Sequence, residues 1–229
     1  LGDVYKRQEY NYLRYGEDDS ITTIVCDNGT DEYNDAQIEI KNFVATEDDK
    51  KTETSDEVPE YLSTYVAPTE LGTDPLSYNI EIENQVYTLP APVSVFTDNG
   101  WKIASQEDSV PSGRSLSSAI KLQKDGKEIE ASVTNFADYQ TKPENCAISY
   151  LYFYADESKN PEVKLPGGIT IKSTSEDVKK WAGDKFDYSK SGDSEYYNYY
   201  DDDNEGYIAI NCKKTVSSMS VRKETWPSK

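Results

Sequence analysis

The sequence predicts an α+β fold dominated by antiparallel sheet, on three observations. Apolar and polar residues alternate in short runs between clusters of turn residues, as strands with one buried face do. One stretch, residues 173–183, combines apolar residues at helical spacing with start and stop signals. The two ends of the chain repeat one order of features, which points to tandem helix-plus-sheet units flanking a central β-rich domain.

Residues 1–8 stand outside this scheme. Asp3-Val4-Tyr5-Lys6-Arg7-Gln8 reads as the translation of a transposon-end sequencing adapter, GAT GTG TAT AAG AGA CAG. It is set aside as a processing scar, and the natural start, with any signal peptide or lipid-attachment Cys, is expected upstream. Residues 9–43 are expected to be the truncated sheet of a first unit. Tyr10, Tyr12 and Tyr15 form an aromatic run before the acidic turn Gly16-Glu17-Asp18-Asp19-Ser20. Ile24 and Cys26 then alternate with Thr23 and Val25, and Ile38 and Ile40 with Glu39 and Lys41. Residues 44–66 are acidic and poor in apolar side chains, the composition of a linker, with room for a short helix ending near Tyr65.

Residues 67–156 are expected to be the central β-rich domain. A hairpin turns at Glu83-Asn84. One or two helical turns run from Pro92 to a stop at Asn99-Gly100. A strand resumes at Trp101, a second hairpin turns at Lys124-Asp125-Gly126-Lys127, and Cys146, Ile148 and Tyr150 share one alternating face. Residues 163–226 are expected to be a complete helix-plus-sheet unit. Ser173-Thr174-Ser175-Glu176 fits a capping box with Ser173 as N-cap and Glu176 at the third helical position. Val178, Trp181 and Ala182 supply the apolar stripe and Gly183 the stop. Strands at 196–200, 207–212 and 219–223 follow.

The repeat matches residues 12–26 to residues 196–212. Each has an aromatic run, an acidic turn and Ile-x-Cys, at Ile24/Cys26 and Ile210/Cys212. Each continues into a final strand closed by an aromatic residue, Phe43 or Trp226. The segment Leu165-Pro166-Gly167-Gly168-Ile169-Thr170, with Val178, Trp181-Ala182-Gly183 and the strands after it, resembles the helix-plus-sheet unit of the BamE-like and β-lactamase-inhibitor-protein-like fold. Tyr87-Thr88-Leu89-Pro90 and Phe96-Thr97-Asp98-Asn99-Gly100-Trp101 are similar to secreted or lipid-anchored proteins of gut Firmicutes. The resemblance spans about residues 10–226. It implies tandem units presenting an aromatic-rich sheet to a protein partner, on the outer face of a Gram-positive cell envelope. The family's inhibitors carry disulfides within units, whereas each terminal unit here has one Cys, and no inhibitory loop is matched.

Composition narrows the chemistry. No His means no Ser-His-Asp or Cys-His nucleophile pair, no H-E-x-x-H zinc site and no imidazole base in this chain. A net charge of -19 opposes binding to nucleic acid or anionic membrane through a general field. No run of 18 apolar residues is present to span a bilayer. Cys26, Cys146 and Cys212 fall on apolar faces, as inert core thiols do, and whether two of them pair is left open. Asp201, Asp203, Glu205 and Gly206 take positions one, three, five and six of a calcium loop. Position twelve is Cys212 where Glu is needed, so a solvated turn is expected, with no metal and no cofactor. With 43 acids, some carboxylate pair is bound to be close, so proximity alone marks no catalytic residue. The candidate binding residues are Tyr196, Tyr197, Tyr199 and Tyr200, then Tyr10, Tyr12 and Tyr15, and Trp101. Alternation puts Tyr197 and Tyr199 on one face of the strand and Tyr196 and Tyr200, with Asn198, on the other; one set packs on the helix carrying Val178 and Trp181, and the other is left on the open sheet face. The expected function is non-enzymatic binding of a protein partner at the cell surface. The alternatives are a glycan stacked on Tyr or Trp101, and a spacer module of a longer surface protein.

Overall fold

The computed structural model describes residues 9–15, 20–27, 38–44, 54–113, 115–202 and 205–227. The adapter-like segment 1–8, the acidic turn 16–19 and residues 45–53 of the expected linker lie outside them. The chain divides into two compact units, residues 1–53 and 54–229. In the first, β1 (Glu9–Tyr15), β2 (Ser20–Asp27) and β3 (Ile38–Val44) form an antiparallel meander. Ile24 stands in register between Tyr12 and Ile40, and Cys26 between Tyr10 and Ile38.

The second unit opens with Ser55 bridged to Thr141, then a 3-10 turn at Glu60–Thr64. The part of the expected linker from residue 54 on is therefore held against the domain. Tyr61 meets Trp226 edge-on at 4.9 Å and Phe136 at 5.7 Å, so the packing comes from the aromatic residues of an otherwise polar segment. Next come β4 (Asn79–Ile82) and β5 (Gln85–Thr88). Their two-residue turn puts Glu83 and Asn84 at positive φ, which lets the hairpin follow the strand twist. After β6 (Ala91–Pro92), α1 (Val93–Asp98) starts behind Pro92 and stops at Gly100, whose N–H reaches the Thr97 carbonyl.

Three strands follow: β7 (Lys102–Gln106), β8 (Ser115–Lys124) and β9 (Lys127–Thr134). After them come β10 (Ala147–Tyr154), β11 (Val163–Lys164) and α2 (Ser175–Ala182). The chain ends in β12 (Asp187–Ser191), β13 (Ser194–Tyr200), β14 (Gly206–Cys212) and β15 (Val216–Lys223).

These strands make one large sheet in the order β12-β13-β14-β15-β10-β9-β8-β7, with β6 also on β10, and a small sheet β11-β4-β5. Every pairing in both is antiparallel. The large sheet crosses the boundary expected between residues 156 and 163, because β10 pairs with β15, Leu151 opposite Val221 and Phe153 opposite Met219. The small sheet crosses it too, through Val163 opposite Ile82. No helix among the described residues is long and apolar enough to cross a membrane.

A single apolar core lies between the large sheet and the layer made by the small sheet and the helices. Ile120, Leu122, Ile129, Leu151, Phe153, Ile208, Ile210, Met219 and Val221 enter it from the large sheet. Ile80, Ile82 and Tyr87 enter from the small sheet, Val93 and Phe96 from α1, and Val178 and Ala182 from α2. Tyr87 and Phe96 stack with centroids 4.0 Å apart and planes 6° apart.

The helix α2 begins one residue later than its sequence suggests. Thr174 is the N-cap: its hydroxyl accepts from the Asp177 N–H at 3.1 Å, and the Asp177 carboxylate accepts from the Thr174 N–H at 2.9 Å. Ser173 is used elsewhere, its hydroxyl accepting from Thr170 N–H and its carbonyl from Val216 N–H. Gly183, at φ 54°, ends the helix. The loop Leu165-Pro166-Gly167-Gly168 docks on α2 through Trp181, whose indole N–H donates to the Pro166 carbonyl at 2.7 Å.

Two further departures concern the strands. Asp187–Ser191 pairs with β13 although all five residues are exposed and show no apolar alternation. In β10 the register on β9 shifts between Ile148 and Tyr150. The extra residue at this bulge, Ser149, reverses the parity of the rest of the strand. Cys146 and Ile148 stay in the core, while Tyr150 turns to the other face with Tyr152 and Tyr154.

Trp101 is 2% exposed and belongs to the core, so its assignment as a sugar-stacking candidate is corrected. The stop at Gly100 turns the chain inward here, and the Trp101 N–H donates to the Phe96 carbonyl. Trp101→Ala should lower unfolding stability by about 3–5 kcal/mol, the range for deleting a buried aromatic side chain. Urea denaturation of the full chain measures this; a cost under about 1 kcal/mol would mean that the ring does not carry core packing.

Candidate functional site

Strand register builds the site. On the face of the large sheet turned away from the core, Tyr200 stands opposite Tyr207, Tyr207 opposite Arg222 and Arg222 opposite Tyr150. This is one row across β13, β14, β15 and β10, roughly 14 Å from end to end at the ordinary strand spacing. Tyr200 and Tyr207 have ring centroids 4.7 Å apart, and the Arg222 guanidinium lies 5.6 Å from the Tyr207 centroid. The next row is Asn198, Ala209, Ser220 and Tyr152, and the one after it Tyr196, Asn211, Ser218 and Tyr154.

The middle of these rows is made of small side chains. Ser218, Ser220 and Ala209 are 4%, 2% and 6% exposed although they point away from the core. Neighbouring rings and amides screen them: Asn211 donates to the Ser218 hydroxyl at 2.9 Å, and Tyr207 donates to Asn198 at 3.3 Å. The result is a low floor between Tyr196 and Tyr200 on one side and Tyr150, Tyr152 and Tyr154 on the other. Tyr150 and Tyr152 have centroids 6.3 Å apart, and Tyr152 and Tyr154 4.4 Å apart. Tyr154 and Tyr200 are about half exposed.

Burial, followed by the neighbouring Tyr200, pushes the Tyr207 hydroxyl up to about 12. Burial also raises Tyr150, and the Tyr152 hydroxyl beside it raises Tyr154. These phenols are neutral at physiological pH, with ring faces for apolar or cationic groups and hydroxyls for polar ones.

Alternation within β13 divides the expected tyrosine cluster as its sequence suggests. Tyr197 is buried and Tyr199 half-buried on the core side, with Tyr199 at 5.8 Å from Phe186. They are corrected from candidate contacts to packing residues. Tyr196 and Tyr200 remain on the open face. Tyr10, Tyr12 and Tyr15 lie on β1, opposite Cys26, Ile24 and Ile21. Sequence reasoning missed Tyr207, Arg222, Tyr150, Tyr152 and Tyr154 as site residues. The alternation Tyr150-Leu151-Tyr152-Phe153-Tyr154, read without its upstream neighbours, contains the signal.

The other candidate centres are structural. Cys146 and Cys212 are buried free thiols, pushed up by burial to about 12 and 11. In the acidic turn, Asp203 and Asn204 lie outside the described residues. The Asp201 carboxylate is already engaged, accepting from Lys223 Nζ at 2.6 Å, Gly206 N–H at 2.8 Å and Tyr78 hydroxyl at 3.3 Å. A Cβ at Gly206 would fall inside van der Waals contact with the Tyr78 hydroxyl and this carboxylate. Glu205 bonds to the Thr225 hydroxyl. Among the described residues, no three His, Cys, Asp or Glu side chains converge to hold a metal ion.

The fold and this face describe an antiparallel α+β domain with an aromatic, open sheet surface. Comparison with protein-family models, curated proteins and solved structures finds no match for the chain.

The Asp201 bonds carry a pH dependence. Burial works to raise its carboxyl, but Lys223 and the Gly206 N–H outweigh it and hold the carboxyl below its ordinary value of 3.8. A lowered folded-state value adds stability that is present above about pH 4 and lost as pH falls through the lowered value. Asp201→Asn should cost about 1–3 kcal/mol at pH 7, as the loss of hydrogen bonds to a charged group does. Urea unfolding at pH 7 and pH 3 should show the difference from the wild-type chain shrinking at the lower pH.

Proposed function

We propose that this chain is a non-enzymatic binding protein that holds a protein partner on the open face of its large sheet. The observation that carries the reading is the registered row Tyr200, Tyr207, Arg222 and Tyr150 beside Tyr152 and Tyr154. Tyr and Arg are the residues that dominate protein interfaces, because they give large contact area for few rotors.

The mutual tilts favour a protein over a glycan. Ring planes differ by 38° at Tyr200–Tyr207 and by 56° at Tyr152–Tyr154, where a flat sugar would be served better by coplanar rings. The meander β1–β3 parallels β13–β15: Ile24 stands between Tyr12 and Ile40 as Ile210 stands between Tyr197 and Met219. This likeness supports reading the two as tandem units of one ancestry. Placement outside the cell, on the envelope of a Gram-positive bacterium, rests on the resemblance noted in the sequence and on the acidic composition.

The test uses a random 12-residue peptide library on phage, with a glycan array in parallel. Peptides should enrich on the full chain, and Tyr200→Ser/Tyr207→Ser should weaken them at least tenfold, or roughly 1.4 kcal/mol, without shifting the thermal midpoint by more than a few degrees. Array signals without peptide enrichment would favour the carbohydrate reading. Silence in both would leave the chain as a spacer.

A further inference from the structure

β9 and β10 part company within the large sheet. Their ladder runs from Ala147 opposite Thr134 to Leu151 opposite Ala131, and stops. Continued in register, Tyr152 would face Glu130, Phe153 would face Ile129 and Tyr154 would face Glu128. No such pairs form; these residues pair only with their outer neighbours, β9 with β8 and β10 with β15. The parting leaves a hollow of about 610 Å³. Its floor is Ile129, Ala131 and Phe153, each 2% exposed. Its walls carry Glu128 and Glu130 on one side and Tyr150, Tyr152 and Tyr154 on the other. Residues 156–160 close the far end, where Glu128 N–H donates to the Lys159 carbonyl at 2.9 Å and Lys159 Nζ reaches Glu128 at 2.7 Å. From Ala131 to Glu128 the window runs three residues, or about 10 Å of strand.

The charge of this window is unbalanced. Glu128, Glu130, Asp156 and Glu157 line it, against Lys159 alone. Lys121, on the neighbouring strand, reaches Glu130 at 2.8 Å. Lys127 Nζ reaches the Asn160 carbonyl at 3.2 Å, so four carboxylates meet three ammonium groups. We infer that the window between β9 and β10 receives a Lys or Arg side chain of the protein partner. The inference rests on the binding function proposed above and names its chemistry. The aliphatic stem of such a side chain lies along the Tyr152 and Tyr154 rings, and its cationic head meets the carboxylates, which still outnumber the ammonium groups. Rings and carboxylates both select for a cation of this length. The net charge of -19 on the chain draws a basic partner toward it.

The test needs no knowledge of the partner. Acetyl-Gly-Arg-Gly-amide and its citrulline counterpart, equal in shape but uncharged, are titrated into the full chain at low salt, with backbone amide shifts followed by NMR. The arginine peptide should shift the amides of residues 128–132 and 150–160, with a Kd in the millimolar range expected for one side chain. The citrulline peptide should bind at least about threefold more weakly. Glu130→Gln should weaken the arginine peptide. Lys159→Met should tighten it by freeing Glu128, an opposite change that general destabilisation would not produce. Equal response to both peptides, shifts confined to other residues, no shift at all, or the same direction in both variants would overturn the inference. Such a result leaves the Tyr200–Tyr207 surface untouched, while loss of phage-displayed peptides without loss of these shifts would reject the proposed function and keep the window.

Discussion

The second unit depends on the pairing of β10 with β15. Before it, the chain makes local hairpins, β4 with β5 and β8 with β9; after it, the meander β12–β15. The ladder from Tyr150 opposite Arg222 to Tyr154 opposite Ser218 joins the β8–β9 hairpin, through β10, to the meander in one sheet, with Leu151, Val221, Phe153 and Met219 on its core side. That ladder closes a loop of about seventy residues, so it carries a conformational entropy cost that local turns do not. Burial of four large apolar side chains at the junction offsets it, each worth about 1.5–3 kcal/mol when removed from water. The same ladder sets Arg222 beside Tyr150, and so the row of aromatic residues exists only because the join is in this register.

An open face rich in Tyr invites self-association, and several features of the unit oppose it. The edge strands β7 and β12 are fully exposed and carry Lys102 and Lys190. Charges at strand edges discourage edge-to-edge pairing. The surplus of acids repels further copies at long range. Small residues between the rings keep the face uneven, so that two copies meeting flat would leave gaps.

Most individual elements were legible because their signals are local. Turn residues at Glu83-Asn84 and Asp125-Gly126, the stop at Gly100 and the cap at Gly183 act within a few residues of themselves. The helix start shows the limit of such signals. Ser173 and Thr174 both satisfy a cap pattern; the Ser173 hydroxyl is taken by the Thr170 N–H and its carbonyl by Val216, forty residues away, which leaves Thr174 to cap the helix. The strand Asp187–Ser191 escaped because it is an edge lacking a buried face; its partner β13, not its composition, makes it a strand. The site was half legible. Alternation separates Tyr196 and Tyr200 from Tyr197 and Tyr199, and burial of Tyr197 decides which pair stays on the open face; the bulge at Ser149 turns Tyr150 away from the face it shares with Ile148 in a regular strand. Trp101 illustrates the reverse: a large aromatic residue suits a binding surface and a core equally, and burial alone separates the two.

By itself the sequence determined the predominance of antiparallel sheet, most of the turns and the place of the helices, because period and turn chemistry are properties of short segments. It also excluded imidazole chemistry, since His is missing from the chain. Tertiary structure decided which strands are neighbours, that residues 54–229 share one core, and that β9 and β10 diverge after Leu151. Those outcomes follow from pairings between strands far apart in the chain, such as Val163 with Ile82 and Leu151 with Val221, which compete over the whole chain and leave no mark on any one segment. The window with its tyrosines and carboxylates belongs to this second kind. Its walls come from strands that are each regular along one edge and unpaired along the other.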